Sequence, residues 1–151
     1  MAPGAPWPVQ PRDSGTHTRP GQVHDDVAAE AVDAVNRQRA RADCKPVRLK
    51  ASLNRAAQRH GADMARGQRL THTGTDGSSP AARMRDGGYH PGHIAENIAA
   101  GPGTPESAVR TWIDSPEHRA IILTCRYIHA GVGVAKGDGG PWWTLDLATG
   151  Y

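Results

Sequence analysis

Residues 128–147 read IHAGVGVAKGDGGPWWTLDL. Ile128, Ala130, Val132 and Val134 alternate with His129, Gly131 and Gly133; after them Trp143, Leu145 and Leu147 alternate with Trp142, Thr144 and Asp146. A period of two sends successive side chains to opposite faces of a strand, so each run predicts a strand with one apolar face. Gly137-Asp138-Gly139-Gly140 lies between the runs and supplies the hairpin loop. His129, on this reading, points away from the apolar side.

Upstream the period becomes helical. Val27, Ala31, Ala34 and Val35 form a stripe on a helix from Asp25 to about Arg41, with Asp25 and Asp26 at its positive end. Pro46 ends that segment, and Val47-Arg48-Leu49 predicts a short strand. Ser52 is placed to cap a second helix running to about Gln68, with Leu53, Ala56, Ala57, His60 and Met64 on one face. Residues 71–79 (THTGTDGSS) form a polar loop. Ser79-Pro80, Thr104-Pro105 and Ser115-Pro116 each pair a capping residue with proline at the first helical position, and predict three further helices. Helices first and strands last, without strand–helix alternation, predict an α+β fold, a sandwich around an antiparallel sheet.

The chain has 151 residues, 37% apolar and 22% charged, which suits one domain with a modest core. Residues 1–24 are rich in Pro and Gly and predict a flexible N-terminal arm; residues 25–151 form the single domain. No apolar run approaches the length of a membrane span, so no transmembrane segment is expected. The net charge of +3 is too mild for nucleic-acid binding, which needs a clustered basic stripe. The N-terminus lacks a basic region followed by an apolar core; a leader is taken to be absent from this chain, which leaves export open. Cys44 and Cys125 are the two cysteines. They are either two reduced buried thiols or one disulfide of an exported protein, worth roughly 4–5 kcal/mol for a loop of about 81 residues.

An ordered set of short motifs carries a resemblance. Val35-Asn36-Arg37-Gln38-Arg39 is followed by Leu53-Asn54-Arg55-Ala56-Ala57-Gln58-Arg59-His60 with Asp63-Met64, His72-Thr73, and Asp76-Gly77. Glu96-Asn97-Ile98-Ala99, Trp112 with Ser115-Pro116-Glu117-His118-Arg119, Gly131-Val132-Gly133-Val134 and Trp143-Thr144 complete it. In this order the pieces resemble the CAP superfamily of cysteine-rich secretory proteins, antigen 5 and pathogenesis-related proteins, in its short bacterial form. The resemblance implies an α–β–α sandwich, secretion to the extracellular space, and a cleft with two histidines and two acids. In some members that cleft binds a divalent metal, often zinc.

Carried over residue by residue, the two imidazoles are His72 and His118 and the first acid is Glu96. The second acid has no clean counterpart: Ser115 stands at its position, with Asp114 and Glu117 as nearby substitutes at the rim. His118 falls in the first turn of its helix, where the positive end disfavours imidazolium and favours the neutral ring that a metal needs. Its other reading is packing beside Ile121 and Ile122. Glu96 has four readings: a metal ligand, a carboxylate orienting a histidine, a general base on bound water, or a structural acceptor of backbone or histidine hydrogen bonds that tie the loop down. A Ser115–His118–Glu96 triad can be drawn, although Ser115 is better explained as a cap. His60 is read as a core histidine, His90 and His93 as a solvated loop near the cleft, and Asn97 as a cap or a bridge between loops. Of Trp142 and Trp143, one is expected in the core and one at the surface.

The sequence therefore predicts a secreted, monomeric binding module whose cleft holds a divalent metal, with an extracellular partner that is a protein, a cell-wall component or a lipid. Metal-dependent hydrolysis of a peptide or cell-wall substrate, with Glu96 as base, is the rival, and lipid or sterol carriage the third reading.

Overall fold

The computed structural model describes residues 20–151. In chain order these form α1 (Pro20–Arg41), β1 (Arg48–Leu49), α2 (Ala51–Gly67), α3 (Pro80–Asp86), β2 (Pro91–Ala100), α4 (Pro105–Ile113), α5 (Pro116–Ile122), β3 (His129–Ala135) and β4 (Trp142–Gly150). Among the described residues the fold is α+β, with five helices around one sheet of order β1-β3-β4-β2. The arm expected at residues 1–24 lies mostly outside the described residues. Helix α1 begins at Pro20, five residues before the expected Asp25, with proline in its first turn.

The hairpin read from residues 128–147 is present, with Val132 opposite Leu145 and Val134 opposite Trp143. Strand β2 adds to the far side of β4, also antiparallel. The sheet is nevertheless mixed, because β1 runs parallel to β3. Its two residues are held by Arg48 N–H on the Ile128 carbonyl and Lys50 N–H on the Ala130 carbonyl, both 3.0 Å. The long return from β1 to β3 through four helices is the crossover that parallel pairing requires.

Each face of the sheet is covered by helices. Ala130, Val132, Trp143, Leu145 and Leu147 pack against Ala31, Val35, Val109, Trp112 and Ile122 from α1, α4 and α5. The other face receives α2 and α3, with Leu53, Ala56 and Met84 against Ala148, and Met64 against Trp142 and Ile98. Gly131 and Gly133 make that second contact close: a Cβ at either would strike the α2 backbone at Leu53 or Ala57. Asn54 and Gln58 of α2 also bond the backbone of Val132 and Val134 at 2.9–3.0 Å, which satisfies the outer edge of β3.

Both tryptophans at the start of β4 are buried, against the expectation of one at the surface. Trp143 sits in the larger core, and Trp142 lies under the C-terminal half of α2, its Nε1–H on the Asp138 carbonyl at 3.0 Å. Cys44 and Cys125 form a disulfide across 81 residues, with Cα atoms 4.9 Å apart. Beside it, buried Arg39 of α1 donates to the carbonyls of Lys45, Ile122, Thr124, Cys125 and Tyr127. Among the described residues no helix is long and apolar enough to cross a membrane.

Candidate functional site

Glu96 stands in the middle of β2, not in a loop, and its side chain lies on the α2 face, 2% exposed. A carboxylate so placed needs compensation. Arg83 of α3, equally buried, supplies it with Nη2 at 2.9 Å from Oε2 and 3.1 Å from Oε1. His72 adds Nδ1 at 2.8 Å from Oε1. His60 of α2 lies just beyond, its Nε2 4.0 Å from the same oxygen.

Helix α2 holds the loop that carries His72. His60 Nε2–H donates to the Thr71 carbonyl at 2.6 Å. The Asp63 carboxylate accepts from Thr75 at both the backbone N–H and the hydroxyl, and Arg59 pairs with Asp76 at 2.7 Å. Gly77 turns the loop at φ +83°, which favours glycine. His72 is thereby presented at the surface, its side chain 53% exposed with the inner ring nitrogen on Glu96.

A second carboxyl joins from β4. Asp146 is paired with Glu96 in the β2–β4 register and is completely buried. Burial, then the neighbouring Glu96 charge, pushes Asp146 well above its ordinary value. Burial alone would raise Glu96 as well, but His72, Asp146, Arg83 and His60 together bring it down to about 2. The two shifts run in opposite directions, so a proton on the pair favours Asp146 over Glu96. His60 is shifted down, chiefly by burial, with Glu96 opposing, and is neutral at pH 7.

The other expected site residues are placed differently. His118, half-buried in α5, has Nδ1 2.9 Å from Ser115 Oγ, and its carbonyl accepts from Asn97 Nδ2 at 3.1 Å. Ser115 occupies the N-cap position, yet its hydroxyl serves the His118 ring and not a backbone N–H. Asn97, expected to cap or to bridge loops, stands in β2 and bonds α5, and because neighbouring strand side chains face oppositely, it leaves the sheet on the side away from Glu96. The drawn Ser115–His118–Glu96 triad is not assembled: Glu96 is engaged by His72 and Arg83. Asp114 is the exposed C-cap of α4, and Glu117 is exposed in the first turn of α5. His90 stacks on Tyr151 with ring centroids 4.9 Å apart, and His93 is held near Thr149, both at the opposite end of β2 from Glu96's neighbours on α2.

The donor set does not fit a shared metal in this arrangement. Glu96 already accepts from Arg83 and His72, and among the described residues no three His, Cys, Asp or Glu side chains are grouped to hold an ion. Sequence reasoning missed Arg83 and Asp146. Asp146 had a signal, an acid at a position of β4 that the alternation sends toward α2. Arg83 had none, since arginine in a short exposed-looking helix is ordinary.

A cavity of about 240 Å³ opens at the loop that carries His72, lined by its neighbours Thr71 and Thr73 and by Asp63, Met64, Arg69 and Thr75 among others, with His72 itself outside the lining. A second, of about 120 Å³, shares Asp63 and Thr75 with it and reaches inward to His60 and Arg83.

Comparison with known proteins agrees with the architecture. The protein YkwD of Bacillus subtilis (strain 168), itself uncharacterized, is 31% identical over 115 residues, covering 76% of this chain and 44% of that protein. An extracellular protein containing an SCP domain from Bacillus anthracis str. Ames superposes with a TM-score of 0.78 at 21% identity, over 94% of this chain and 44% of the other. An outer surface protein from Borrelia burgdorferi does so with 0.69 at 16% identity, over 80% and 90%. The chain thus spans under half the length of the two Bacillus proteins. Residues 32–147 match the cysteine-rich secretory protein family, CAP. With that match covering most of the chain, the protein belongs to the CAP family.

Proposed function

We propose that this chain is an extracellular CAP-domain binding module, and that its working surface is the hollow beside His72. One observation carries the reading: a half-exposed imidazole is fixed from beneath by a buried carboxylate, itself pinned by Arg83. Such support holds an exposed ring in one orientation, which lowers the ordering cost of binding. The disulfide and the extracellular description of the Bacillus anthracis protein support secretion. Of a protein, cell-wall or lipid partner, the threonine hydroxyls, Asp63 and Arg69 on the hollow's wall favour a cell-wall component, with Met64 the one large apolar side chain there among the described residues.

A divalent metal, zinc above all, was the finer expectation. One observation supports it: Glu96 on His72 Nδ1 turns Nε2 outward, the orientation carboxylates give to zinc-bound imidazoles. One imidazole is not a ligand set, and no step here is routed through a metal. The hydrolytic rival draws on the proton shared by Glu96 and Asp146. Against it, a carboxylate held at about 2 and paired with Arg83 is a weak base, and Asp146 is sealed from solvent.

Co-sedimentation of the full chain with insoluble bacterial cell-wall material tests the proposal. Retention should fall at least about tenfold in His72→Ala, a loss of about 1.4 kcal/mol or more, and labelled sterol or fatty acid should not be held. Retention of lipid without retention on the wall would overturn it. Zinc titration and a metal-supplemented substrate panel on Glu96→Gln separate the two rivals.

A further inference from the structure

The fold gathers cations that the chain keeps apart. From Cys44 to Ala62 and from His118 to Gly137 the sequence holds no acidic residue. The Cys44–Cys125 disulfide, with Cα atoms 4.9 Å apart, joins these two stretches. The Arg39 guanidinium binds the Lys45 and Cys125 carbonyls together, at 3.0 and 3.3 Å. Arg48 N–H on the Ile128 carbonyl and Lys50 N–H on the Ala130 carbonyl continue the alignment. Lys45, Arg48, Lys50 and Arg126 are thereby set along one edge of the sheet, the β1 edge. Lys45, Arg48 and Arg126 are exposed, and Lys50 is half-buried. Arg48 and Lys50 stand two residues apart in extended backbone, about 6.5 Å, which puts their side chains on the same side. The Arg126 Cζ lies 5.7 Å from the Tyr127 ring centroid, a cation–π contact that steadies it.

The arginines held in ion pairs among the described residues are Arg59, Arg66 and Arg83, none of them in this row. Asp43 is the one acid in the turn that precedes it. Beneath the row His129 is 5% exposed and is shifted down, first by burial and then by the Lys50 and Arg48 charges, so both cations act on one spot. The net charge of +3 hides the cluster, because Asp25, Asp26, Glu30 and Asp33 lie apart from it in the first part of α1. Charges on an edge strand also deter pairing with another chain, but a strand of two residues is already too short for that. Cations repeated along a strand suit a chain of repeated anionic groups, and guanidinium forks match phosphate oxygens. A membrane plane calls for apolar anchors beside the cations, and Ile128, 48% exposed, is the one large apolar side chain exposed along this row among the described residues. We propose that the β1 edge is a docking surface for a phosphate-bearing polymer of the cell wall, whose phosphates lie along Lys45, Arg48, Lys50 and Arg126. Lys50 stands at the N-cap of α2, and Met64 on the wall of the larger hollow stands roughly 20 Å away along the same helix. The surface is separate from that hollow and does not depend on the reading given to it.

Fluorescence anisotropy of labelled poly(glycerol phosphate), titrated with the full chain at low salt, tests it. Binding should saturate and should weaken steeply as salt is added, because neutralised phosphates release their counterions. Arg48→Gln/Lys50→Gln/Arg126→Gln should weaken it at least about tenfold. Arg85→Gln/Arg110→Gln/Lys136→Gln removes the same charge from exposed positions elsewhere and should stay within about twofold of the wild type. Lys45→Gln/Arg126→Gln confines the change to exposed side chains, so it keeps the test open if the first variant fails to fold, and should lose at least about threefold. Absence of saturable binding by the wild type overturns the proposal. Equal losses in the row variants and the control mean attraction to net charge only and overturn the site. Tighter binding to vesicles of phosphatidylcholine and phosphatidylglycerol in equal parts, or to single-stranded DNA, than to poly(glycerol phosphate) at equal phosphate overturns the polymer assignment.

Discussion

Glu96 and Asp146 stand directly opposite each other in the β2–β4 register, two acids facing the same helix. Such a pair is stable when one member is neutral and the other is neutralised by a cation. Asp146 takes the proton and Arg83 takes the charge. The consequence at the surface is His72, whose orientation depends on a carboxylate that stays ionised.

Arg83→Met removes the cation and leaves Glu96 charged and buried. Breaking a buried ion pair from one side costs about 3–5 kcal/mol. The urea midpoint of Arg83→Met should fall accordingly, while the adjacent exposed change Arg85→Met should leave it nearly unmoved.

The two acids act on stability in opposite directions with pH. Glu96 is lowered from 4.5 to about 2, so its contribution is full above 4.5 and is lost as pH falls toward 2. Asp146 is raised above 3.8, so its contribution is full below 3.8 and is lost as pH rises toward its raised value. Asp146→Asn should therefore gain on the wild type steadily as pH rises above about 4. Urea midpoints of both proteins between about pH 3 and 8 give the comparison; a constant difference would contradict it.

The Cys44–Cys125 bridge closes a loop of 81 residues. Cys44→Ser/Cys125→Ser should cost about 2–5 kcal/mol in urea unfolding. Arg39→Met, which strips the donor from five nearby carbonyls, should cost at least about 3 kcal/mol, since buried groups left unpaired forfeit their solvation. The two should not be additive, since both hold the segment around Cys125.

Gly131→Ala places a methyl group against the α2 backbone at Leu53. Overpacking of this kind costs about 1–3 kcal/mol. Because α2 carries His60 and the anchors of the His72 loop, the His72 ring resonances should also shift, which a change confined to β3 would not produce.

Much of this architecture was legible in the sequence, and for identifiable reasons. Alternation of Val132 and Val134 with glycines, then of Leu145 and Leu147 with polar residues, reported the hairpin because one face packs on the larger apolar core while the other takes small and polar side chains under α2. The Pro-led helices were legible from their capping residues, with Ser79 bonded to the Ala82 N–H as expected. The parallel pairing of β1 was not, since two residues carry no period. His72 and Glu96 were legible through family resemblance, and they do meet. Asp146 and Arg83 were not, because what defines them is register and burial across elements remote in sequence. His118 illustrates the converse: its helix position was read correctly, but its ring is engaged by Ser115 and its link to β2 is Asn97.

The most direct test follows the carbon-13 signals of the Glu96 and Asp146 carboxyl groups through a pH titration of the intact chain. The account predicts Glu96 ionised down to well below the ordinary carboxylate range and Asp146 keeping its proton well above the ordinary aspartate range. Asp146 ionising in the ordinary aspartate range, or a proton on Glu96 in place of Asp146, would contradict it.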